Sequence, residues 1–569
     1  MSQQEIIAEM FSRGVLLSKD LLEKTVHENV LKEIEIEEDL ILLNSDYVEI
    51  ISQQCSLVDW HEIDSYRVES ERGNDELYQH HLQKFKSASL LLPSSSFQQQ
   101  HQQQHQQQQE VSGLETTLSD GGLDSQFHTT AVMEIPSPSV TLAEDPAALK
   151  NYPVTIVVSF QNKARKYDVK HFTSFFVSRY RFLEGLLRHR PELEQVLPIS
   201  RIVTRKEKEA VAVIGLVDEI GLTKNGNLML TLEDLTGKIK ILITQARKEL
   251  LQMGKDIIFD EVVGITGVSG DKIIFAENIV WPDIPGTHEL KKSPVEEFVI
   301  FLSDVHVGSS LFLHEEFQRF LSWIRGEAGN DSQKALAAKV KYIIVAGDLV
   351  DGVGIYPSQE DELAIKDIRE QYVEFARLIR QIPPDKQIIM CPGNHDVVHL
   401  AEPQSVFYKD YALPLFSLPN VTLVSNPSMV TVAQSETFSG LDILLYHGYS
   451  FDYYVNNVES IRNGGGYHRA DLIMKFLLKR RHLAPSFRST PYFPAHDDDP
   501  LLITKIPDFF VTGHIHYSKV ANYKGITMIS GSCWQGKTTF QEKLGHEPEP
   551  ARVPLVNLQT REVKILRFM

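Results

Sequence analysis

Apolar and polar positions follow three different rhythms along the chain. Over residues 1–75, apolar positions such as Ile6, Met10 and Phe11, then Val15, Leu16 and Leu22, recur every three or four residues. That is the period of one helix face, and it predicts a small N-terminal helical module. Between residues 87 and 150 the rhythm disappears. The run Gln98–Gln109 is broken only by His101 and His105, and the flanking Ser and Pro leave too little apolar area to offset ordering entropy. This stretch reads as a disordered Gln/Ser-rich linker, with its histidines part of the glutamine tract. Across residues 206–285 the period changes again. AVAVIGLVDEI, GNLMLTLEDL, GKIKILIT, EVVGITGVS and KIIFAENIV follow at short intervals, with Asn225-Gly226 and Thr236-Gly237 as turn signals. Five such strands suit a Greek-key barrel of the OB type, a fold used on single-stranded nucleic acid and also for docking proteins.

After Val295 a third pattern begins, in which short apolar runs each end abruptly in a polar cluster. EFVIFLSDVHVG presents Asp304 and His306; YIIVAGDLVDG presents Asp348 and Asp351; QIIMCPGNHD presents Asn394, His395 and Asp396. DILLYHGYS presents His447, and DFFVTGHIH presents His514 and His516. Runs of four to six apolar residues read as buried strands, and a glycine beside the polar residue lets the loop turn sharply at the strand end. Loops at strand ends of a layered α/β sheet are where ligands are held, so the five can converge on one point.

The residue types in these clusters narrow the chemistry. Asp, Asn and His are donors suited to Mn²⁺, Zn²⁺ or Fe²⁺, and no cysteine of ligand type shares the clusters, which argues against a structural zinc site. Asp304, His306, Asp348, Asn394, His447, His514 and His516 are too many for one ion but suit two divalent ions sharing a carboxylate, an arrangement that clamps a phosphate for in-line displacement. Each cluster taken singly has a bland reading as core or surface residues. Five of them after five buried strands do not.

Composition sets limits on partners. The 569 residues exceed one hydrophobic core and imply several modules. Cys55, Cys391 and Cys533 lie too far apart in sequence to suggest a disulfide framework or a CxxC zinc site. No apolar run approaches a membrane span, and the start MSQQEIIAEMFSRG is unlike a signal peptide, so a cytoplasmic location is expected. A net charge of −19 excludes a chain coated in positive surface, so any nucleic-acid contact needs a local patch or a partner. Two patches qualify: Lys163 to Arg205, with Arg165, Lys166, Arg179, Arg181, Arg188 and Arg190, and the run Lys475, Lys479, Arg480, Arg481, His482. Such runs are more often solvated helix faces.

The order DVH, GDLVD, GNHD, YHG and GHIH resembles the calcineurin-like metallophosphoesterase superfamily. The resemblance implies a four-layer α/β/β/α domain over residues 295–569. It further implies that Asp304, His306, Asp348 and His516 hold one metal, while Asp348, Asn394, His447 and His514 hold the other. His395 would be the acid that protonates the leaving oxygen, oriented by Asp396, and Asp351 would support the loop or His395 from behind. Two further segments, DVKHFTSFFVSRYRFLEGLLRHR before PISR and MKFLLKRRHLAPSF at Met474–Phe487, resemble the small subunits of archaeal D-family DNA polymerases. The latter segment also resembles the B subunits of eukaryotic replicative polymerases. This second resemblance implies a helical segment over residues 151–205 and a multidomain α+β protein. It also implies a proofreading 3′→5′ exonuclease acting with a large polymerase subunit, DNA and a sliding clamp in the nucleoid, with manganese as the expected metal. Lys479, Arg480 and Arg481 become candidate DNA contacts. The alternatives are a non-catalytic scaffold like the eukaryotic B subunits, whose ligands are degraded and which the filled ligand positions here weigh against, and a phosphatase of the same superfamily.

Overall fold

The computed structural model describes residues 153–161, 166–205, 207–492, 494, 498–544 and 546–569, together with Leu16–Leu17 and Leu42–Leu43. The chain divides into two compact units, residues 1–139 and 140–569. In the first, Leu16–Leu17 pairs in parallel with Leu42–Leu43 as short strands. The remainder of the expected helical module, the whole Gln/Ser-rich linker and the basic residues Lys163 and Arg165 lie outside the described residues.

The second unit holds a barrel and a layered domain. Strand β1 (Thr155–Ser159) precedes helix α1 (Val169–Arg188), so residues 151–205 are not purely helical as expected. The β-branched run TIVVS favours extension, and it pairs antiparallel with a strand far along the chain, Ser428–Val432. Helix α1 starts at a capping box: Asp168 accepts the Lys170 and His171 amides while the His171 ring reaches back to the Asp168 amide. Strands β2 (Ala210–Leu222), β3 (Leu228–Asp234), β4 (Gly237–Ile243), β5 (Val262–Ser269) and β6 (Ile273–Val280) close a barrel in the order β2-β3-β4-β6-β5. β4 and β6 run parallel and the other pairs antiparallel, which is the five-stranded Greek-key closure the strand pattern implied.

The layered domain contains two six-stranded sheets. One is built from β7 (Phe298–Leu302), β8 (Val340–Ala346), β9 (Gln387–Cys391), β10 (Val421–Leu423), β16 (Arg552–Asn557) and β17 (Val563–Arg567), in the order β10-β9-β8-β7-β16-β17. The other joins β1 to β11 (Ser428–Val432), β12 (Leu441–Leu445), β13 (Phe509–Thr512), β14 (Lys519–Tyr523) and β15 (Ile526–Ser530), in the order β14-β15-β13-β12-β11-β1. Alternation along the strands assigns the faces. Val299 and Phe301 of β7 meet Ile443 and Leu445 of β12 between the sheets, while Phe298, Ile300 and Leu302 face the helices His314–Ile324 and Ile368–Ile379. On the other outer face, Leu444 and Phe510 pack against Phe451–Asn457 and Ala470–Arg480. Burying both faces explains why these strands read as continuous apolar runs; each fully buried Leu, Ile or Phe is worth about 1.5–3 kcal/mol. Among the described residues no helix is long and apolar enough to cross a membrane.

Candidate metal centre

β7, β8 and β9 run parallel in one sheet and β12 and β13 in the other, so their carboxyl ends lie at a common edge of the sandwich. The loops leaving those ends carry the expected donors. Asp304, His306, Asp348, His514 and His516 all adopt left-handed backbone, with φ of 50°, 54°, 52°, 70° and 57°. Asp and His tolerate that region better than most residues, yet each instance still costs of the order of 1–3 kcal/mol. Five at one place mark a site held in shape by the surrounding fold. Two glycines are required by close approach: a Cβ at Gly393 would meet Asp348 Oδ1, and one at Gly513 would meet Asp304 Oδ2.

Donor atoms converge in the interior. His306 Nε2 lies 3.1 Å from His516 Nε2, and His516 Nε2 lies 3.4 Å from Asp304 Oδ1. Asp348 Oδ2 is 3.9 Å from His306 Nε2 and 3.2 Å from His447 Nε2. Asn394 Oδ1 is 3.0 Å from both His447 Nε2 and His514 Nδ1. The carboxylate of Asp348 therefore stands between two donor groups. Three sets of donors lie within 4.8 Å of one another: Asp304, His306 and His516; Asp304, Asp348 and His447; and His306, Asp351 and His395.

Electrostatics explains why this arrangement suits cations. Burial would raise the Asp348 carboxyl, but the imidazoles of His447, His395 and His306 outweigh it and hold the group well below the usual carboxylate range. Burial would likewise depress His447, yet Asp348 pushes it up to about 9. Two imidazole nitrogens facing each other at 3.1 Å need a shared proton or a cation between them, and His306 turns its other nitrogen, Nδ1, to the Asp351 carboxylate at 3.1 Å. Oxygen and imidazole donors with these spacings fit divalent ions of the Mn²⁺, Fe²⁺ or Zn²⁺ type.

Neighbouring groups fix the rings. The carbonyl of Ala346 accepts from His447 Nδ1 at 2.8 Å, so Nε2 is the ring nitrogen that faces Asp348 and Asn394. Asp452 Oδ2 sits 3.0 Å from His514 Nε2, so Nδ1 is the ring nitrogen that faces Asn394. His395 Nδ1 lies 2.7 Å from the Asp351 carbonyl, while the His395 amide donates to Asp348 Oδ1 at 2.8 Å. Burial, the largest influence on His395, lowers its pKa.

The expectation that Asp396 orients His395 is corrected here. Its carboxylate accepts the Gly393 and Leu349 amides at 2.9 and 3.2 Å and the Tyr372 hydroxyl at 3.0 Å, so it braces the loop. Burial and the nearby Asp348 raise its pKa to about 7. Orientation of His395 falls instead to the backbone of Asp351, whose carboxylate lies 3.1 Å from His306 Nδ1 and accepts from Gln535 at 2.8 Å. Asp452 and Gln535 were not foreseen. A lone Asp five residues after His447 and a Gln after Trp534 carry no motif, and only the folded chain brings them to the site.

The basic run is also corrected. Arg480 and Arg481 are each 3% exposed. Arg480 pairs with Glu261 of the barrel and donates to the Asp256 carbonyl at 2.6 Å; Arg481 donates to the Ile503 and Thr504 carbonyls at 2.9 and 3.0 Å. Lys479 Nζ rests 3.7 Å above the Trp281 ring. Lys479 and Arg480 join the barrel to the layered domain, Arg481 is tied within the layered domain, and neither buried arginine is presented to DNA. In the other patch, Arg179 is buried against Asp499, while Arg188 and Arg190 pair with Glu184 and Glu192.

With the geometry in hand, comparison gives the class first. The model of the calcineurin-like phosphoesterase family matches residues 299–518, so the layered domain is a metallophosphoesterase domain. The chain is 37% identical over 460 residues to the DNA polymerase II small subunit of Methanothermobacter thermautotrophicus, covering 80% of this chain and 91% of that protein. It is 37% identical over 404 residues to the same subunit of Archaeoglobus fulgidus, covering 70% and 78%. The Pyrococcus furiosus subunit is 36% identical over 404 residues, covering 70% and 64%. The chain belongs to the archaeal D-family group of DNA polymerase II small subunits.

Proposed function

We propose that this chain is a 3′→5′ exonuclease that removes nucleotides from DNA 3′ ends, working beside a large catalytic polymerase subunit, its expected partner in replication. The observation that carries the reading is the convergence of seven Asp, Asn and His donors, Asp348 at their centre, with the His395 imidazole alongside. Asp304, His306, Asp348 and His516 would hold one ion and Asp348, Asn394, His447 and His514 the other. Two divalent ions there, Mn²⁺ expected and Zn²⁺ or Fe²⁺ as alternatives, would polarise the phosphodiester and lower the pKa of an attacking water.

The chain's own residues supply the rest. Asp348 fixes the spacing of the two donor groups. His395, its Nδ1 tied to the Asp351 carbonyl, keeps Nε2 for delivering a proton to the departing 3′-oxygen as the P–O bond breaks. The entering phosphate adds negative charge beside the ring and favours its protonated form. A pure scaffold has no need of a full donor set on strained backbone. A phosphatase would use the same atoms, but a barrel pinned to the layered domain through Arg480 and Glu261, and membership of a polymerase-subunit family, favour a nucleic-acid strand.

His395→Ala tests the assignment. Excision should fall by about 10²–10⁴-fold while two equivalents of metal stay bound; loss of one equivalent would move His395 into the ligand set.

A further inference from the structure

Beside His395 the rim of the site carries a pair of aromatic rings that the chemistry above does not use. Tyr356 lies on the loop after Asp351, with its ring centroid 6.4 Å from that of His395. Phe540, on helix Thr539–Leu544, stacks on Tyr356 with centroids 5.2 Å apart and planes 20° from parallel. Glu362 fastens the two together, accepting the Tyr356 hydroxyl at 2.8 Å and the Thr539 amide at 3.0 Å. The next residue of the helix, Gln541, is within 3.0 Å of His516 Nδ1, so the platform is coupled in position to the metal centre.

These rings are not a closed packing contact. Phe540 remains 41% exposed, and Val353 and Ile355 on the Tyr356 loop remain 50% and 38% exposed. A pin that served only to hold loop against helix would gain by burying those groups. An apolar and aromatic rim next to a cleavage site is a surface awaiting a flat, neutral partner.

We propose that Phe540, backed by Tyr356, is the stacking platform for the unpaired 3′-terminal base. The inference rests on the exonuclease reading and names the form of the substrate. The terminal nucleoside is bonded through its 5′-oxygen to the same phosphorus whose 3′-oxygen bond breaks beside His395, so a ring 6.4 Å from His395 lies within reach of its base. The turn Gln359–Glu362 just past Tyr356 leaves Asp361 exposed, beside Glu360, which pairs with Lys366 at 3.3 Å. That charge tolerates a neutral base and opposes a second phosphate backbone, so a frayed or mismatched end enters more readily than a paired one.

The test crosses a protein change with a substrate change, using the full-length chain in Mn²⁺. Single-stranded DNA ending in a normal nucleotide is compared with the same strand ending in an abasic sugar. Wild type should prefer the base-bearing end by about 10-fold or more in kcat/KM, mostly through KM. Phe540→Ala should lose that factor on the normal end and treat the two ends alike, and Phe540→Trp should restore the preference. Tyr356→Leu should act in the same direction, which covers a folding failure of either variant alone. A 3′-terminal 2-aminopurine should be quenched on binding His395→Ala and not on binding His395→Ala/Phe540→Ala. If Phe540→Ala still discriminates between the ends, the platform is wrong although the nuclease reading stands. If wild type releases nucleotides from neither strand, the nuclease reading itself fails and takes the platform with it.

Discussion

Replacing Arg179 with Met should destabilise the second unit severely, for reasons the structure states atom by atom. Arg179 and Asp499 are almost fully enclosed, with side chains 2% and 0% exposed, and Nε meets Oδ2 at 2.6 Å. The same carboxylate oxygen lies 2.7 Å from His482 Nε2, and His482 Nδ1 accepts the Ala484 amide at 2.9 Å. The imidazole is therefore neutral and donates through Nε2. Burial, with Arg179 reinforcing it against the pull of Asp499, depresses His482 to about 4; burial would raise Asp499, but His482 and Arg179 hold it at about 2. Methionine fills much of the arginine stem's volume but leaves a buried anion without its countercharge, a loss of about 3–5 kcal/mol. Over a cooperative unit of roughly 400 residues this corresponds to a Tm lower by about 5 °C. The sign with pH follows from the depressed groups. His482 contributes stability that is present above its unfolded pKa of about 6.5 and is lost as pH falls toward 4, whereas in the variant it is free to take a proton and replace the missing charge. The penalty should therefore be largest near pH 8 and shrink toward pH 5.5, as read by urea unfolding at several pH values. A loss under about 1 kcal/mol, or one independent of pH, would refute the buried-trio reasoning.

Metal uptake should release protons, because His447 is raised to about 9 in the metal-free chain and must give up its proton to become a ligand. Affinity should rise by up to about tenfold per pH unit per proton between pH 6.5 and 9, and calorimetry in buffers of different ionisation enthalpy that finds no proton release would count against it. Asp348→Ala should lower occupancy of both metal positions at once, since its carboxylate lies between them; a variant retaining two tightly bound ions by metal analysis would end the bridging role. Residues 151–569 should co-purify with the large polymerase subunit, because the barrel and the layered domain are locked together through Arg480 and Arg179. Failure of that fragment, with binding by residues 1–75, would relocate the dock to the N-terminal region.

What the sequence revealed was governed by local pattern. The barrel strands were legible because period-2 alternation and turn dipeptides are short-range signals. The donors could be named because each apolar run ends in Gly with Asp, Asn or His, a consequence of the strand-end geometry that now brings them together. Three kinds of information were not legible. β1 could not be placed, because its partner β11 is some 270 residues away in sequence and pairing at that distance leaves no local trace. The backbone of Asp351, which orients His395 in place of Asp396, acts through a carbonyl that every residue possesses. Arg480 read as surface charge because helix periodicity does not reveal that a second domain, with Glu261, covers that face, and Arg481 because its partners, the Ile503 and Thr504 carbonyls, lie in a later segment.

The most direct test of the account follows one labelled strand. A 5′-labelled single-stranded oligonucleotide, incubated with the full-length chain and Mn²⁺, should shorten stepwise from its 3′ end while nucleoside 5′-monophosphates accumulate. Cuts at internal positions, early release of the label, or removal of nothing beyond a terminal phosphate would contradict it.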